Sequence, residues 1–178
     1  RAVGLHRPPL SVLTGTRLTL PAADGQPIDL GHVGAVTRVD SELILSFCAG
    51  RVIPVIPSLA LDEATGGWLN VNADTAAAAV AEQLGAEKLV FLSDTPGTLR
   101  DRREPTSLIS HLTAEGCADL IRTGIIDSGM IPKVESCIEA LLCGVHKVFI
   151  LDGRVPHSIL LEMLTDEGSG TMMVGEKK

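Results

Sequence analysis

Three short segments of the chain combine polar side chains with signals for a turn or a helix start. They are residues 70–74 (NVNAD), 93–99 (SDTPGTL) and 128–133 (SGMIPK). Each lies at a predicted junction between a strand, a loop and a helix start, which is where open α/β sheets bind their ligands. These segments are therefore the candidates for a ligand site at one edge of a sheet.

Lys133 is the residue of these segments with the least obvious structural role. A cation in the first turn of a helix opposes the helix dipole, at a cost of about 0.3–1 kcal/mol. A helix start that carries a lysine can also hold an anion such as a phosphate, and Gly129 before it lets backbone N–H groups approach closely. The residues alone leave two interpretations open, a phosphate ligand and an ordinary surface lysine.

The other polar residues have structural explanations. Asp74 stands at a predicted helix start, where Asp and Asn are favoured N-caps, and capping is the favoured interpretation of this residue. Pro96 and Gly97 match turn chemistry, because proline presets one central residue and glycine supplies the positive φ of the next. His157, behind Pro156 at another helix start, is most simply a boundary residue.

The composition limits the classes of function. The chain has 178 residues, a formal charge of −7 and only 2% aromatic residues, with a sequence pI near 5.2. Nucleic-acid modules use aromatic platforms and a basic surface, so we expect no nucleic-acid partner. Because no apolar run reaches about 18 residues and the first residues lack the apolar core of a secretory signal, we expect a soluble protein without a membrane span.

The sequence lacks the phosphate-loop, dinucleotide, nucleophile-elbow and zinc-protease motifs, so ordinary hydrolases and dehydrogenases lose support. Cys48, Cys117, Cys137 and Cys143 are scattered without metal-ligand spacing, and three of them lie in apolar stretches. We therefore expect buried thiols rather than disulfides or a metal site.

Alternating apolar and amphipathic stretches predict the elements that position the three segments. Helices are predicted over residues 41–50, 73–84, 113–122, 132–143 and 156–164. Buried strands are predicted over residues 52–56, 88–92 and 146–151, a final strand near 171–174, and a hairpin or meander from runs 12–20 and 33–39. Apolar strands separated by such helices make βαβ units, so the predicted fold class is α/β with helices on both faces of a mainly parallel sheet.

Taken together and in order, the three segments resemble the N-acetylglutamate kinases of the amino-acid-kinase family. The resemblance is carried by LNVNADTAAAAVAEQLGAEKLVFLSDTPGTL, by GIIDSGMIPKVESCIEALLCGVHKVFILDG, and more weakly by LGHVGAVTRVD, and covers about residues 30–174. The final stretch GRVPHSILLEMLTDEGSGT resembles the arginine-sensitive members, including those of photosynthetic organisms.

The resemblance implies a three-layer αβα sandwich whose N-terminal lobe is incomplete here. Residues 1–40 are expected to be a β-hairpin or meander remnant of the N-terminal substrate lobe, and residues 41–178 the α/β nucleotide-binding lobe. The implied reaction moves the γ-phosphoryl group of ATP onto the side-chain carboxylate of N-acetyl-L-glutamate, a step of arginine biosynthesis. Mg²⁺ is expected to ride on the nucleotide phosphates, with no metal ligands from the protein assigned.

The resemblance also implies roles for individual residues. Lys133 is expected to stabilise the transferring phosphoryl group, Asp74 to orient the catalytic lysines, and Asn70 and Asn72 to bind the substrate. The implied nucleotide-binding residues are Asp94, Thr95, Pro96, Gly97, Thr98, Leu99, Ile125, Ile126, Asp127, Gly129 and Met130. The implied site for feedback arginine consists of His157, Glu167 and Gly170.

One departure from the family pattern lies at the beginning of the chain. The family's Gly-rich loop with a second catalytic lysine has no counterpart before residue 30, and no lysine precedes Lys88. The chain therefore resembles the C-terminal three-fifths of such a kinase, and by itself we expect weak nucleotide binding and little or no turnover. The absence of an initiating Met likewise indicates a fragment or a processed product.

Two alternatives stay open beside acetylglutamate kinase. One is a sister activity of the family on aspartate, carbamate or UMP, and the other is a non-catalytic arginine- or nucleotide-binding regulatory module. The resemblance further implies a homodimer or hexamer of the full-length protein, a PII-type signalling protein as partner, and a cytoplasmic or plastid-stroma location.

Overall fold

The computed structural model describes residues 1–6, 10–21, 26–101, 103–126, 129–165 and 168–175. The chain folds as two compact units, Arg1–Leu84 and Gly85–Lys178, called here the N-terminal and C-terminal units. The expected assignment of residues 1–40 to a substrate lobe and of 41–178 to a nucleotide lobe stays a prediction. The α/β fold class is confirmed, since both units combine strands with helices.

The N-terminal unit is built around a long antiparallel hairpin. Its elements are β1 (Ala2–Gly4), β2 (Leu13–Pro21), β3 (Pro27–Val39), α1 (Ser41–Ala49), β4 (Ile53–Val55), β5 (Leu59–Asp62), β6 (Trp68–Val71) and α2 (Ala73–Gln83). Strands β2, β3, β6 and β5 pair in a closed cycle, and β1 pairs with β4 in a separate parallel ribbon. The core of this unit includes Leu13, Ile44 and Ala60, all at most 1% exposed.

Three predictions for this unit are wrong in detail. The second run of the hairpin begins at Pro27 rather than at residue 33, and β5 and β6 were not predicted. The polar residues that indicated a loop form the turn between β5 and β6. The Asp62 carboxylate stabilises this turn by accepting hydrogen bonds from Ala64 N and Thr65 Oγ1. Strand β4 is not buried: Ile53 is 65% exposed, since this strand belongs to a two-stranded ribbon.

The C-terminal unit carries a four-stranded mixed sheet flanked by helices. Its elements are β7 (Lys88–Ser93), β8 (His111–Thr113), α3 (Ala114–Arg122), α4 (Ile131–Leu142), β9 (Lys147–Asp152), α5 (Ser158–Leu164) and β10 (Thr171–Val174), with a 3₁₀ turn at Pro105–Ser107. The strand order is β7-β9-β10-β8. Strand β9 is parallel to β7 and antiparallel to β10, which is parallel to β8.

The helix predictions are confirmed within about two residues, because their end signals are local. Helix α3 begins after Thr113, whose hydroxyl accepts from Gly116 N. Gly85 and Gly144, which follow α2 and α4, both have a positive φ, which glycine adopts without steric cost.

The four cysteines form no disulfide, and two of them are buried. Burial raises the pKa of the Cys117 thiol to about 11, so this residue stays protonated at neutral pH. The expectation of burial is wrong for Cys48 and Cys143, which are exposed.

Candidate nucleotide site

The candidate segment 93–99 leaves the sheet where the sequence predicts, at the carboxyl end of β7. Strand β7 pairs in register with β9 from Lys88 opposite Lys147 to Ser93 opposite Asp152. Phe91 is buried and anchors the strand, and the chain turns away after Ser93. Residues 94–99, called here the bend, therefore begin at the edge of the sheet where α/β proteins bind ligands.

The bend is held by contacts with distant parts of the chain. Gly97 has a φ of +135°, and a Cβ added to it would lie 2.6 Å from Thr171 Oγ1. The Thr171 hydroxyl accepts a hydrogen bond from Thr98 N at 2.8 Å and donates one to Ile109 O at 2.8 Å. The expected positive φ of Gly97 is confirmed, and the close approach to Thr171 is a second reason why this position requires glycine.

A pocket with a volume of about 210 Å³ opens between the bend, residues 125–126 and Met130. Its lining residues are Asp94, Thr95, Pro96, Gly97, Thr98, Leu99, Ile125, Ile126 and Met130. Thr95 joins two of these walls, because its hydroxyl lies 3.7 Å from Met130 Sδ. Ligand pockets usually measure about 300–1,000 Å³, so this one suits part of a nucleotide, such as a base, rather than all of it.

The structure thus brings together most of the residues that the resemblance assigned to the nucleotide. Gly129 immediately precedes Met130 but is not among the lining residues. Asp127 lies outside the described residues.

Thr98 carries an unusual polar group in the wall of this pocket. Its Oγ1 is buried and has no hydrogen-bond partner within the described part of the chain. Buried hydroxyls in native proteins are nearly always paired, so this hydroxyl is an exception within the described residues.

Lys133 lies in the first turn of α4, three residues after Met130. Its side chain is half-buried, and Nζ lies 5.1 Å from the centroid of the Phe91 ring. The face of an aromatic ring attracts a cation, which contributes to keeping the ammonium group at this edge of the sheet. The assignment of Lys133 to a phosphate stays a prediction.

An ion pair at the end of β9 was missed by the sequence reasoning. Arg154 Nε and Nη2 donate to the two carboxylate oxygens of Asp152 at 2.9 and 2.8 Å. These side-chain hydrogen bonds, aided by the backbone N–H of Arg154, lower the pKa of Asp152 to about 2. The pKa of the Arg154 guanidinium is raised mainly by Asp152, and the charge of Asp94 adds to the effect.

This pair therefore lies next to the bend, where the Asp152 carboxylate neutralises the Arg154 charge and Asp94 adds a negative one. The signal for the pair was the sequence LDGR at the predicted end of a strand, where β9 runs beside β7.

A family model described as the amino acid kinase family matches residues 1–152 of the chain. The chain belongs to the amino acid kinase family. It is 49% identical over 144 residues to the acetylglutamate kinase of Brachyspira hyodysenteriae, a match that covers 81% of the chain and 50% of that protein. It is 46% identical over 173 residues to the acetylglutamate kinase of a Synechococcus strain, covering 93% of the chain and 55% of that protein. The chain spans about half the length of these curated relatives.

Solved structures with a similar fold include a synthase and a carbamate kinase. The N-acetylglutamate synthase from Neisseria gonorrhoeae, complexed with coenzyme A and L-arginine, matches with a TM-score of 0.77 and 30% identity over 93% of this chain and 37% of its own. Carbamate kinase from Giardia lamblia bound to AMP-PNP has the same fold, with a TM-score of 0.63, 15% identity, and coverage of 90% of this chain and 52% of its own.

The residues expected to bind the family's acceptor substrate lie at the start of α2. Asn70 is exposed near the end of β6. Asn72 is the N-cap of α2, because its Oδ1 accepts a hydrogen bond from Thr75 N at 3.0 Å. The interpretation of Asp74 as the cap is therefore wrong. Asp74 is half-buried in the first turn of α2, where its negative charge interacts favourably with the helix dipole.

The residues expected to bind arginine are only partly gathered in one place. Gly170 lines a second pocket of the C-terminal unit, together with Lys88, His111, Lys147 and Glu162 among others. His157 is exposed, precedes α5 with a φ of 62°, and is not among the residues lining that pocket. Glu167 lies outside the described residues, whereas Glu162, which the sequence reasoning missed, accepts a hydrogen bond from Ser169 N at 2.6 Å.

Within the described ranges, no three His, Cys, Asp or Glu side chains are grouped closely enough to hold a metal ion. None of the helices in those ranges has the length and apolar character needed to cross a bilayer.

Proposed function

We propose that this chain supplies the ATP site of an acetylglutamate kinase, which transfers the γ-phosphoryl group of ATP to the side-chain carboxylate of N-acetyl-L-glutamate. The observation that supports this most directly is the pocket between the bend and Met130, with Lys133 in the next turn of α4. The curated relatives with 41–49% identity support the choice of acceptor.

The pocket suits the base of the nucleotide. Pro96, Leu99, Ile126 and Met130 offer apolar surface to a flat ring, while the backbone of the bend offers hydrogen-bonding groups. A nucleotide seated there extends its phosphates toward the start of α4, where backbone N–H groups and the ammonium of Lys133 favour negative charge.

The reaction needs little proton chemistry from the protein. A glutamate carboxylate, with an ordinary pKa of about 4.3, is already ionised at neutral pH, so no general base is required. Catalysis then depends on holding the acceptor in line and on neutralising the charge that moves toward the leaving ADP. Lys133 is the residue that we assign to this neutralisation.

Mg²⁺ is proposed to arrive with the nucleotide. This ion usually keeps several waters and is held by substrate phosphates and one or two carboxylates rather than by a protein cage. Bound in this way, Mg²⁺ would screen the negative charge of the phosphates.

The start of α2 is assigned to the acceptor substrate. Asn72 uses Oδ1 for its cap, which leaves the side-chain N–H₂ as the group that can donate to a carboxylate or an acetamido oxygen. Asn70 offers a second amide, and Asp74 is assigned to orienting the catalytic lysines. The homo-oligomer and the PII-type partner that the resemblance implies stay predictions.

The acceptor can be tested by measuring ADP release from ATP and Mg²⁺ by the native protein that carries this sequence. We expect release that depends on N-acetyl-L-glutamate and is lost with aspartate, carbamate or UMP as the acceptor. Turnover with one of those three and none with N-acetyl-L-glutamate would assign a sister activity of the family instead.

Feedback regulation by arginine is a second proposed function. Glu162 at the second pocket has the charge that a guanidinium requires, and the Neisseria synthase that resembles the chain was solved with L-arginine. Calorimetric titration with L-arginine, and with L-citrulline as a neutral control, tests this. Heat with arginine alone supports the proposal, whereas binding of arginine without any binding of an ATP analogue would indicate a non-catalytic regulatory module.

A further inference from the structure

One buried hydroxyl, that of Thr171, connects the bend to β10 and to residue 109 in the C-terminal unit. Thr171 begins β10 and is 0% exposed. Its Oγ1 accepts from Thr98 N and donates to Ile109 O, both at 2.8 Å, across 73 and 62 residues of sequence. A single oxygen therefore joins three segments of the chain.

Beyond Thr98 the backbone is also held by a bridge between Leu99 and Leu108 and by Arg100 N, which donates to Ser107 O at 3.0 Å. Thr98 O accepts from Ile109 N at 2.9 Å, so Thr98 is held by Ile109 on one side and by Thr171 on the other. Gly97 packs against Thr171 as well, since a Cβ at Gly97 would lie 2.6 Å from Thr171 Oγ1 and 3.1 Å from Thr171 N. The positions of Gly97 and Thr98 in the pocket wall thus depend on Thr171.

We propose that Thr171 is a positioning residue for nucleotide binding. It does not line the pocket, and it acts by holding the backbone of Gly97 and Thr98 so that the other face of the bend is presented to the ligand. The inference rests on the proposed nucleotide site, and it adds a determinant of nucleotide affinity that lies outside the pocket.

Replacing Thr171 by valine tests this because a methyl group takes the place of the hydroxyl and can neither accept nor donate a hydrogen bond. Thr98 N and Ile109 O then lose their shared partner inside the protein, and the bend relaxes to find others. In the native protein we expect the Kd for a non-hydrolysable ATP analogue to rise about tenfold, roughly what the loss of one buried hydrogen bond corresponds to.

Thr171→Ser is the matched control, because serine keeps the hydroxyl and removes only a methyl group. We expect its affinity for the analogue to stay within about threefold of the original, less than the tenfold change expected of Thr171→Val. Comparing the KM for ATP with the KM for N-acetyl-L-glutamate distinguishes a positioning role from a general loss of structure. Thr171→Val should raise the KM for ATP and leave the KM for N-acetyl-L-glutamate unchanged, whereas a general disruption raises both.

Amide hydrogen exchange gives a readout without any ligand. The Thr98 amide should exchange slowly in the original protein and in Thr171→Ser, and quickly in Thr171→Val, if its hydrogen bond to Thr171 holds the bend. Unchanged nucleotide affinity in a folded Thr171→Val protein overturns the inference, and so does a Thr98 amide that stays protected in it.

Two further outcomes are also decisive. If Thr171→Val does not fold, a folded Thr171→Ser protein that loses nucleotide affinity overturns the inference, and one that keeps both affinity and Thr98 protection supports it. If the original protein binds no nucleotide at all, the proposed function fails and the inference fails with it. Failure of the inference alone is recognised by tight nucleotide binding that is insensitive to Thr171→Val.

Discussion

The two units use the polar residues near their strand ends in different ways. In the C-terminal unit, the bend is fixed through buried groups on β10 and residue 109, and its other face lines a pocket. In the N-terminal unit, Asn70 and Asn72 are exposed around the start of α2, and Asn72 already serves as the helix cap. Changes in the first region should therefore appear in nucleotide binding and catalysis, and changes in the second in stability and in binding of the acceptor substrate.

The largest effect is expected from Lys133→Met in the C-terminal unit. Removing one charged group that stabilises a transition state typically lowers kcat by about 10²–10³. Steady-state kinetics with ATP and N-acetyl-L-glutamate measure this. Arg122→Met is the control, because Arg122 forms only a surface ion pair with Asp119 at 3.0 Å. A kcat within a few-fold of the original for Lys133→Met would contradict the assigned role.

Gly97→Ala should lower both stability and nucleotide affinity. An L-residue at a φ of +135° is strained and its Cβ collides with Thr171, so we expect a loss of about 1–3 kcal/mol in the free energy of unfolding. Gly144→Ala is the matched control, since Gly144 has a φ of +105° but nothing within 4 Å of the added Cβ. Urea unfolding should show a larger loss at Gly97, and equal losses would argue against the close approach to Thr171.

Asn72→Ala tests the opposite expectation for the N-terminal unit. Loss of an N-cap side chain costs about 1 kcal/mol of stability, and urea unfolding measures it. Asn72→Asp keeps the acceptor for Thr75 N and should restore the stability. An alanine variant as stable as the original, with substrate binding alone impaired, would mean that the two units do not differ in the way proposed.

The smallest effect is expected for the contribution of the Asp152–Arg154 ion pair to the stability of the protein at acid pH. Since the pKa of Asp152 is lowered from 3.8 to about 2 in the folded protein, its contribution is complete above about pH 4 and is lost as the pH falls toward 2. Arg154→Gln removes the cause of the shift. Chemical unfolding between pH 5 and 2 should therefore show a larger difference between the two proteins at pH 5 than at pH 2, and a constant difference would contradict the pairing.

Local signals made much of this structure predictable. The ends of α2 and α4 follow from Gly85, Gly144 and Pro132, which restrict the backbone at their own positions. The bend was found because Pro96 and Gly97 mark a turn directly after an apolar strand.

The features that the sequence did not predict depend on contacts between distant residues or on sequence patterns that fit several structures. Thr171 holds Thr98 from 73 residues away, and no sequence spacing indicates that contact. Strands β5 and β6 are only four residues long and flank a polar turn, so the sequence pattern did not indicate strands there. The sequence predicts Asp74 as the cap, but Asp and Asn cap helices about equally well, and the backbone puts Asn72 at the cap position.

The most direct measurement of the central claim is hydrogen exchange with mass spectrometry, with and without a non-hydrolysable ATP analogue and Mg²⁺. The account predicts slower exchange for peptides that cover residues 94–99 and 129–133, and no change in α1 of the N-terminal unit. Binding of the analogue without protection of either peptide would contradict a nucleotide site at the carboxyl end of β7.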